Sequence, residues 1–265
     1  MKQKADYKNW IPKGMIYGVA AATVICAVLT AVFTILAANG SQSWQTVFAV
    51  VFAVALLACG KYTQWCVHAY NTFSYDGKRQ LSKQMIEGIA DYVQIPDGGI
   101  GLDVGCGSGA LTIASAKRNP KANFIGIDRW GKEYASFNLP LCECNAKAEG
   151  VSNVSFQKGD AARLDFPDES FDAVTSNYVY HNIPGADKQK LLLETLRVLK
   201  KGGSFAIHDL MSKRRYGDME AFVKTLRDMG YEEVMLIDTT NGRFMTKRES
   251  KQLMLGGSTL LVGKK

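Results

Sequence analysis

Two long stretches near the start of the chain contain no charged residue: residues 15–38, "MIYGVAAATVICAVLTAVFTILAA", and residues 41–60, "SQSWQTVFAVVFAVALLACG". At about 1.5 Å rise per residue, each is long enough as a helix to cross a hydrocarbon layer of roughly 30 Å. Neither carries the polar stripe of a helix buried on one face of a soluble domain. A cleaved signal peptide would have an apolar core of about 7–15 residues and then a small-residue cleavage site. The first stretch is too long for that, and a second follows at once. The pattern therefore predicts two transmembrane helices, about 15–38 and 41–60, joined by a tight turn at Asn39 and Gly40.

Beyond Lys61 charges return at ordinary density. Residues 62–77, "YTQWCVHAYNTFSYDG", are rich in aromatic residues; they are expected to continue the second helix and turn near Asp76-Gly77. Leu81, Met85, Ile86, Ile89, Ala90 and Val93 then fall at helical spacing within 78–94. After the turn at Pro96-Asp97-Gly98-Gly99, short apolar runs alternate with amphipathic ones. Strands are predicted at 100–105, 123–128, 154–158, 171–176, 203–209, 232–238 and 257–263. Helices are predicted at 108–118, 131–149, 187–200 and 217–229, with Lys201-Gly202-Gly203 stopping the third. This alternation is that of an α/β domain with a mostly parallel sheet. The expected organisation is an anchor over 1–68, an aromatic linker over 69–77 and a folded domain over 78–265.

Charge sets the expected orientation. Lys2, Lys4, Lys8 and Lys13 precede the first apolar stretch, Lys61, Lys78, Arg79 and Lys83 follow the second, and the connecting turn has no Lys or Arg. The positive-inside rule places both termini, and the domain, in the cytoplasm of a multi-pass cell-membrane protein. Trp10, Tyr17, Trp44, Tyr62 and Trp65 lie near helix ends, as interfacial anchors do. The net charge of +7 is spread along the chain rather than massed in a patch, which argues against nucleic-acid binding. The six cysteines do not suggest a disulfide framework: Cys26 and Cys59 lie in the apolar stretches and Cys66 just beyond. Cys142 and Cys144 are two apart, too close for a C-x-x-C site. No resident metal is expected.

The candidate chemistry centres on "IGLDVGCGSGALTIA", residues 100–114, where Asp103, Gly105, Gly107 and Gly109 form D-x-G-x-G-x-G between a strand and a helix. In an open parallel sheet ligands sit at the carboxyl ends of the strands, where glycines let the backbone approach and the next helix offers free N–H groups. The glycines alone are ambiguous, because "GCGSGA" also satisfies the dinucleotide pattern and leaves NAD open. Asp128, at the end of the second strand, would grip ribose hydroxyls in either case. Asp103 and Asp160 discriminate. A carboxylate two residues before the first glycine repels pyrophosphate and attracts a cation, and Asp160, ending the third strand in "FQKGDA", can accept a hydrogen bond from an adenine amino group. The three carboxylates suit a ligand with ribose, adenine and positive charge but no phosphate, and S-adenosylmethionine fits.

At this point the chain resembles the class I S-adenosylmethionine-dependent methyltransferases, of the kind called type 11, over roughly residues 78–265. "LDVGCGSG", "GIDRW", "GDAARLDFPDESFDAVTSNYVYHNI" and "RVLKKGGSFAIHDL" match the family's motifs in order. The resemblance implies a Rossmann-like, doubly wound sheet of seven strands with the last antiparallel, for which "STLLVGKK" is placed. It also implies that Asp103 and the loop of Gly105, Cys106, Gly107 and Gly109 face the methionine part of the cofactor. Asp128 and Arg129 would serve the ribose side and Trp130 stack near the adenine. Asp160 and Ala161 would contact the base, with Asn177 lining the floor beneath the methyl group.

Transfer of a methyl group from a sulfonium needs alignment and exclusion of water, and a base only if the nucleophile holds a proton. The candidates are His181 and Tyr178 in "SNYVYHNIP", with Tyr180 beside them; His208 and Asp209 end the fifth strand in "FAIHDL". Cys142, Cys144 and Cys106 raise the alternative of a metalloid acceptor, and Tyr70, Phe73 and Tyr75 that of an aromatic cover facing the bilayer. The anchor points to a small or lipid-soluble methyl acceptor. The competing expectation is a membrane-anchored cofactor sensor or scaffold without turnover.

Overall fold

The structure is a computed structural model in which residues 4–40, 42–131 and 136–265 are described. The chain divides into two compact units, residues 9–82 and residues 1–8 with 83–265. Residues 4–8 belong with the α/β unit, where Asp6 and Tyr7 bond to Asn145 and Glu149.

The first unit is a helical hairpin of α1 (Lys13–Asn39) and α2 (Ser43–Phe73). Both helices are long and apolar enough to cross a membrane, and no protein covers their most apolar windows. α2 runs on through the aromatic segment to Phe73, as the pattern predicts, before the turn at Ser74–Gly77. Three threonines of α1 are satisfied locally. Thr23, Thr30 and Thr34 donate their hydroxyls to the carbonyls of Val19, Cys26 and Thr30, one turn back. Thr23 Oγ1 also meets Thr63 Oγ1 at 3.0 Å, tying the two helices. In hydrocarbon an unpaired hydroxyl would cost about 4 kcal/mol, so these pairings suit a lipid setting. At the far end Phe33 stacks on Phe48 and Phe52, with ring centroids 5.2 and 5.6 Å apart, and Trp44 meets Phe33 edge-on.

The second unit is an α/β sandwich. Its elements follow the order α3 (Leu81–Ala90), β1 (Ile100–Val104), α4 (Ala110–Arg118), β2 (Asn123–Asp128), α5 (Leu139–Glu149), β3 (Val154–Lys158), β4 (Phe171–Asn177), α6 (Lys188–Arg197), β5 (Leu199–Leu210), α7 (Lys213–Tyr216), α8 (Met219–Asp228), β6 (Glu232–Asp238), α9 (Lys247–Gln252) and β7 (Ser258–Lys264). They build a seven-stranded sheet of order β3-β2-β1-β4-β5-β7-β6. β7 runs antiparallel to both β5 and β6, and the remaining pairings are parallel. The strand order reverses between β1 and β4, and this switch point is where such sheets hold ligands. The Rossmann-like fold with an antiparallel last strand is as expected.

Leu102, Val104, Ile127, Val174, Phe205, Ile207 and Leu261 form one continuous core. Each is worth about 1.5–3 kcal/mol of burial. That core fixes the strand ends from which the functional loops project. Helix starts are set by side-chain caps at Asn138, Asp187, Asp218 and Thr246.

The differences from the expected boundaries have local causes. α5 begins at Leu139 rather than in a helix from 131, because Asn138 caps it and Pro140 suits a first turn; residues 132–135 lie outside the described residues. α6 ends at Arg197 instead of 200. Lys201-Gly202-Gly203 is the irregular start of β5, where the pairing register shifts against Phe171 and Ala173, and does not stop a helix. The short α7 and α9 were not expected; with four and six residues they are too brief to show a period.

Candidate functional site

The glycine loop leaves the end of β1 at the switch point. Gly105, Gly107 and Gly109 all have positive φ, at 75°, 55° and 80°. Gly105 is also sterically fixed: a Cβ there would meet Val179 Cγ2 at 2.2 Å. At Gly107 a Cβ would meet open space, so that part of the backbone borders room for a ligand. Gly109 stands at the N-cap of α4 with no side-chain cap, and the first turn of that helix opens on this end of the sheet.

Asp128, at the end of β2, organises the loop. Its Oδ2 accepts the N–H of Gly107 at 2.9 Å and its Oδ1 that of Trp130 at 2.7 Å. The Trp130 indole returns a hydrogen bond to the Gly107 carbonyl at 2.9 Å, and the Cys142 thiol donates to the same carbonyl at 3.2 Å. Trp130 itself has φ 43°, a strained value for a bulky residue, held by these two bonds. Each Asp128 oxygen has accepted one N–H here, which leaves acceptor capacity for a pair of hydroxyls. Arg129 is exposed beside it.

Asp103 is placed differently from the reading in which it faces the cofactor. It lies beneath the loop, almost wholly buried, with Oδ2 accepting from Thr112 at 2.6 Å and Oδ1 from Thr175 at 2.9 Å. Burial pushes its carboxyl up to about 6 against the opposing effect of the two threonine hydroxyls. Asp160 is exposed at the end of β3, where its Oδ1 accepts the N–H of Ala162 at 2.8 Å, and Ala161 packs on the core.

At the end of β4, Asn177 Oδ1 lies 2.9 Å from His208 Nδ1, and His208 Nε2 is 2.9 Å from Thr239 Oγ1. His208 is fully buried, and desolvation lowers its pKa to about 4, so it is a neutral bridge that holds Asn177. It does not reach a pocket, as its place on the strand had suggested. Tyr180 is core, its hydroxyl 2.6 Å from Thr195. Tyr178 has φ 57°, its hydroxyl is 2.7 Å from Ser258 Oγ, and burial pushes its pKa well up. Its ring lies over His208 and edge-on to His181, with centroids 4.7 and 5.9 Å away. His181 Nδ1 meets Asp209 Oδ1 at 2.5 Å.

Cys142 is buried and Cys144 exposed, on different sides of α5, and among the described residues no three metal-ligating side chains converge. Several contributors escaped the sequence reading. Thr112 and Thr175 beneath Asp103 and Val179 against Gly105 carry no signal in one sequence. Asn145, at 2% exposure, pairs both its amide atoms with the backbone of Asp6 (2.7 and 3.1 Å) and donates to the Ser108 carbonyl at 3.0 Å, joining residues 4–8 to the glycine loop.

A methyltransferase domain family model matches residues 96–253, and the chain belongs to that family. Its fold is that of the S-adenosylmethionine-dependent methyltransferases. The chain is 35% identical over 117 residues to a demethylmenaquinone methyltransferase of Lactobacillus johnsonii, covering 43% of this chain and 45% of that one. It is 36% identical over 121 residues to an arsenite methyltransferase of Aquipseudomonas alcaligenes, covering 44% and 34%. The chain thus spans less than half the length of these curated relatives. Among solved structures, a geranyl diphosphate methyltransferase with geranyl diphosphate and sinefungin superposes with a TM-score of 0.54 at 14% identity, over 74% of this chain and 81% of that one. The open room at Gly107, the spare acceptors of Asp128 and the exposed Asp160 fit the cofactor of this class, S-adenosylmethionine, with no phosphate to accommodate.

Proposed function

We propose that the protein is an S-adenosylmethionine-dependent methyltransferase held at the cytoplasmic face of a membrane by its helical hairpin, and that it methylates a small, lipophilic acceptor. The observation that carries this reading is the pairing of a glycine loop organised by Asp128 with two lipid-length apolar helices in one chain. Relatives named for demethylmenaquinone and a structural neighbour named for geranyl diphosphate support a lipophilic acceptor.

The cofactor supplies an electrophilic methyl group on a sulfonium. The chain's residues do the rest. Asp128 is assigned to the ribose, with Arg129 and Trp130 flanking it, and Asp160 with Ala161 to the adenine. The backbone of Gly105, Cys106, Gly107 and Gly109 is assigned to the methionine part, with Asp103 countering its positive charge from below. Asn177, fixed by His208, forms the floor, Tyr178 a wall, and His181 the candidate base. Tethering raises the effective concentration of this site near membrane-dissolved substrates.

Inside-out native membrane vesicles containing the protein, given radiolabelled S-adenosylmethionine, test the reading. Label in the organic-solvent extract is the expected result; label confined to protein or water-soluble metabolites contradicts the lipophilic acceptor. Cofactor binding with no label in any fraction would favour an anchored sensor instead.

A further inference from the structure

The carboxyl ends of the strands carry two loops rich in basic residues. One, residues 211–218, follows β5 and contains α7; the other, residues 239–257, joins β6 to β7 and contains α9. They meet where Leu210 of β5 pairs with Ser258 of β7. The Met211 N–H bonds the Gly257 carbonyl at 2.8 Å, and a Cβ on Gly257 would meet that of Ser212 at 3.2 Å. Because β5 runs parallel to β4, and β4 to β1, both loops stand at the same end of the sheet as the glycine loop. Together they hold seven basic residues and two acids. Both acids are engaged locally, Asp218 as the cap of α8 and Glu249 in the capping box of α9. Arg243 lies over the Tyr92 ring and donates to its hydroxyl at 2.8 Å. The other six are Lys213, Arg214 and Arg215 of α7 and Lys247, Arg248 and Lys251 of α9. All are exposed, and among the described residues none pairs with a carboxylate.

The opposite end of the sheet is built otherwise. Lys121 pairs with Asp97 at 2.6 Å, Arg197 with Asp168 at 2.6 Å, Lys200 with Asp172 at 2.9 Å and Lys264 with Glu233 at 3.2 Å. Basic charge is neutralised there and left open beside the glycine loop. Met254, between α9 and β7, adds an apolar side chain that is 72% exposed, on backbone held at φ 61°. The aromatic residues of the two loops, Tyr216 and Phe244, are buried, so these loops offer no ring on which a nucleic-acid base could stack. Open basic charge with a projecting apolar side chain suits the headgroup layer of an anionic bilayer. Each Lys or Arg close to such a surface strengthens partition about fivefold.

We propose that α7 and α9 form a docking surface for anionic phospholipid headgroups, with Met254 entering the boundary between headgroups and acyl chains. This rests on the reading of the hairpin as a membrane anchor, which keeps the domain within reach of a bilayer. Docking then selects one orientation of the domain on the lipid. The carboxyl ends of the strands, and the glycine loop with them, turn toward the bilayer. A lipophilic acceptor passes from the bilayer to the site without crossing bulk water. The attraction is electrostatic, so it weakens as salt shortens the Debye length.

The test uses the full chain with Met254→Cys and Cys144→Ser, labelled with bimane at position 254, in nanodiscs whose lipids carry brominated acyl chains. The Cys144→Ser chain, treated alike, gives the background. The discs are phosphatidylcholine alone or phosphatidylcholine with phosphatidylglycerol as one lipid in three. Both leaflets are alike, so topology does not enter. The expected result is bromine quenching at position 254 in the anionic discs and none in phosphatidylcholine alone. Quenching is expected to fall at least about fivefold in the triple variant Lys247→Glu, Arg248→Glu, Lys251→Glu, and also in molar salt, where the Debye length is about 3 Å. S-adenosylhomocysteine affinity of the triple variant unchanged from wild type shows that its fold is intact. No quenching in anionic discs, or equal quenching in both lipids that the triple variant keeps, overturns the proposal. A fluorescent single-stranded RNA that binds the wild-type chain and not the triple variant, with no quenching in anionic discs, gives this surface to nucleic acid and overturns it too. A chain that stays out of the discs overturns the anchor, and sedimentation with anionic vesicles, lost in the triple variant, then still supports the surface. Quenching as expected from a chain that methylates no lipophilic compound supports the docking and overturns the acceptor reading alone.

Discussion

At the scale of single residues the site is governed by what lies under the glycine loop. Gly105 is required twice over, by its φ of 75° and by Val179 against its α-carbon. Gly105→Ala is expected to weaken S-adenosylmethionine binding more than tenfold by calorimetry. Adding Val179→Ala should recover part of the loss, because it relieves the clash and leaves the backbone strain. Asp128→Ala removes a charged acceptor from two backbone N–H groups, and hydrogen bonds to charged groups are worth about 1.5–3 kcal/mol each. A loss of cofactor affinity of about 10–100-fold is expected, with the fold retained by circular dichroism.

Two buried titrating residues act in opposite directions on stability. Asp103 titrates near 6 in the folded chain, above its ordinary value, so the folded state holds more protons and stability falls as pH rises from about 4 to about 6. His208 titrates near 4, below its ordinary value, so the folded state holds fewer protons and stability falls as pH drops from about 6.5 to about 4. Each displacement is worth on the order of 3 kcal/mol, so the two largely offset. Asp103→Asn should steepen the loss of Tm on acidification from pH 6.5 to 4, and His208→Asn should flatten or reverse it. Thermal melts across that range in both variants measure this; slopes identical to wild type would contradict it.

Among elements, α5 links parts distant in sequence. Asn145 holds residues 4–8 by a two-way pairing with Asp6 and holds the Ser108 carbonyl of the loop, and Tyr7 reaches Glu149 at 3.3 Å. Truncating a buried amide with three partners leaves them unsatisfied at about 1–3 kcal/mol. Asn145→Ala should therefore speed trypsin cleavage after Lys8 and lower cofactor affinity several-fold. Unchanged cleavage would show that the leading segment is held by other means. At this scale the sequence was most informative. Strands 123–128, 154–158 and 232–238 were legible because short apolar runs bounded by turn residues allow little else. What it hid were relations across the sheet. His208 and Asp209 are neighbours in sequence, yet on a strand they point to opposite faces, so one fixes Asn177 and the other His181. No spacing rule reveals which partner each meets, since β4 and β5 are brought together by a crossover.

For the whole molecule the chain couples a methyltransferase fold to a hairpin of lipid length. The glycine motif is legible as a strand-to-helix turn at the switch point, whereas the burial of Asp103 against Thr112 and Thr175 is not. The hairpin was readable from charge-free length alone. Its proposed orientation has a simple check in Cys144, an exposed cysteine of the soluble domain. A membrane-impermeant maleimide should label it in inside-out vesicles and not in intact cells; labelling from outside would invert the topology.

The central claim is that this site delivers a methyl group to a membrane-dissolved small molecule. Its most direct test is mass spectrometry of native lipid extract in nanodiscs, incubated with the purified full-length chain and deuteromethyl S-adenosylmethionine. The account requires a lipophilic compound that gains the deuterated methyl with the wild-type chain and not with Gly105→Ala. A deuterated methyl found only on protein or on water-soluble metabolites, or one that appears equally with Gly105→Ala, would contradict it.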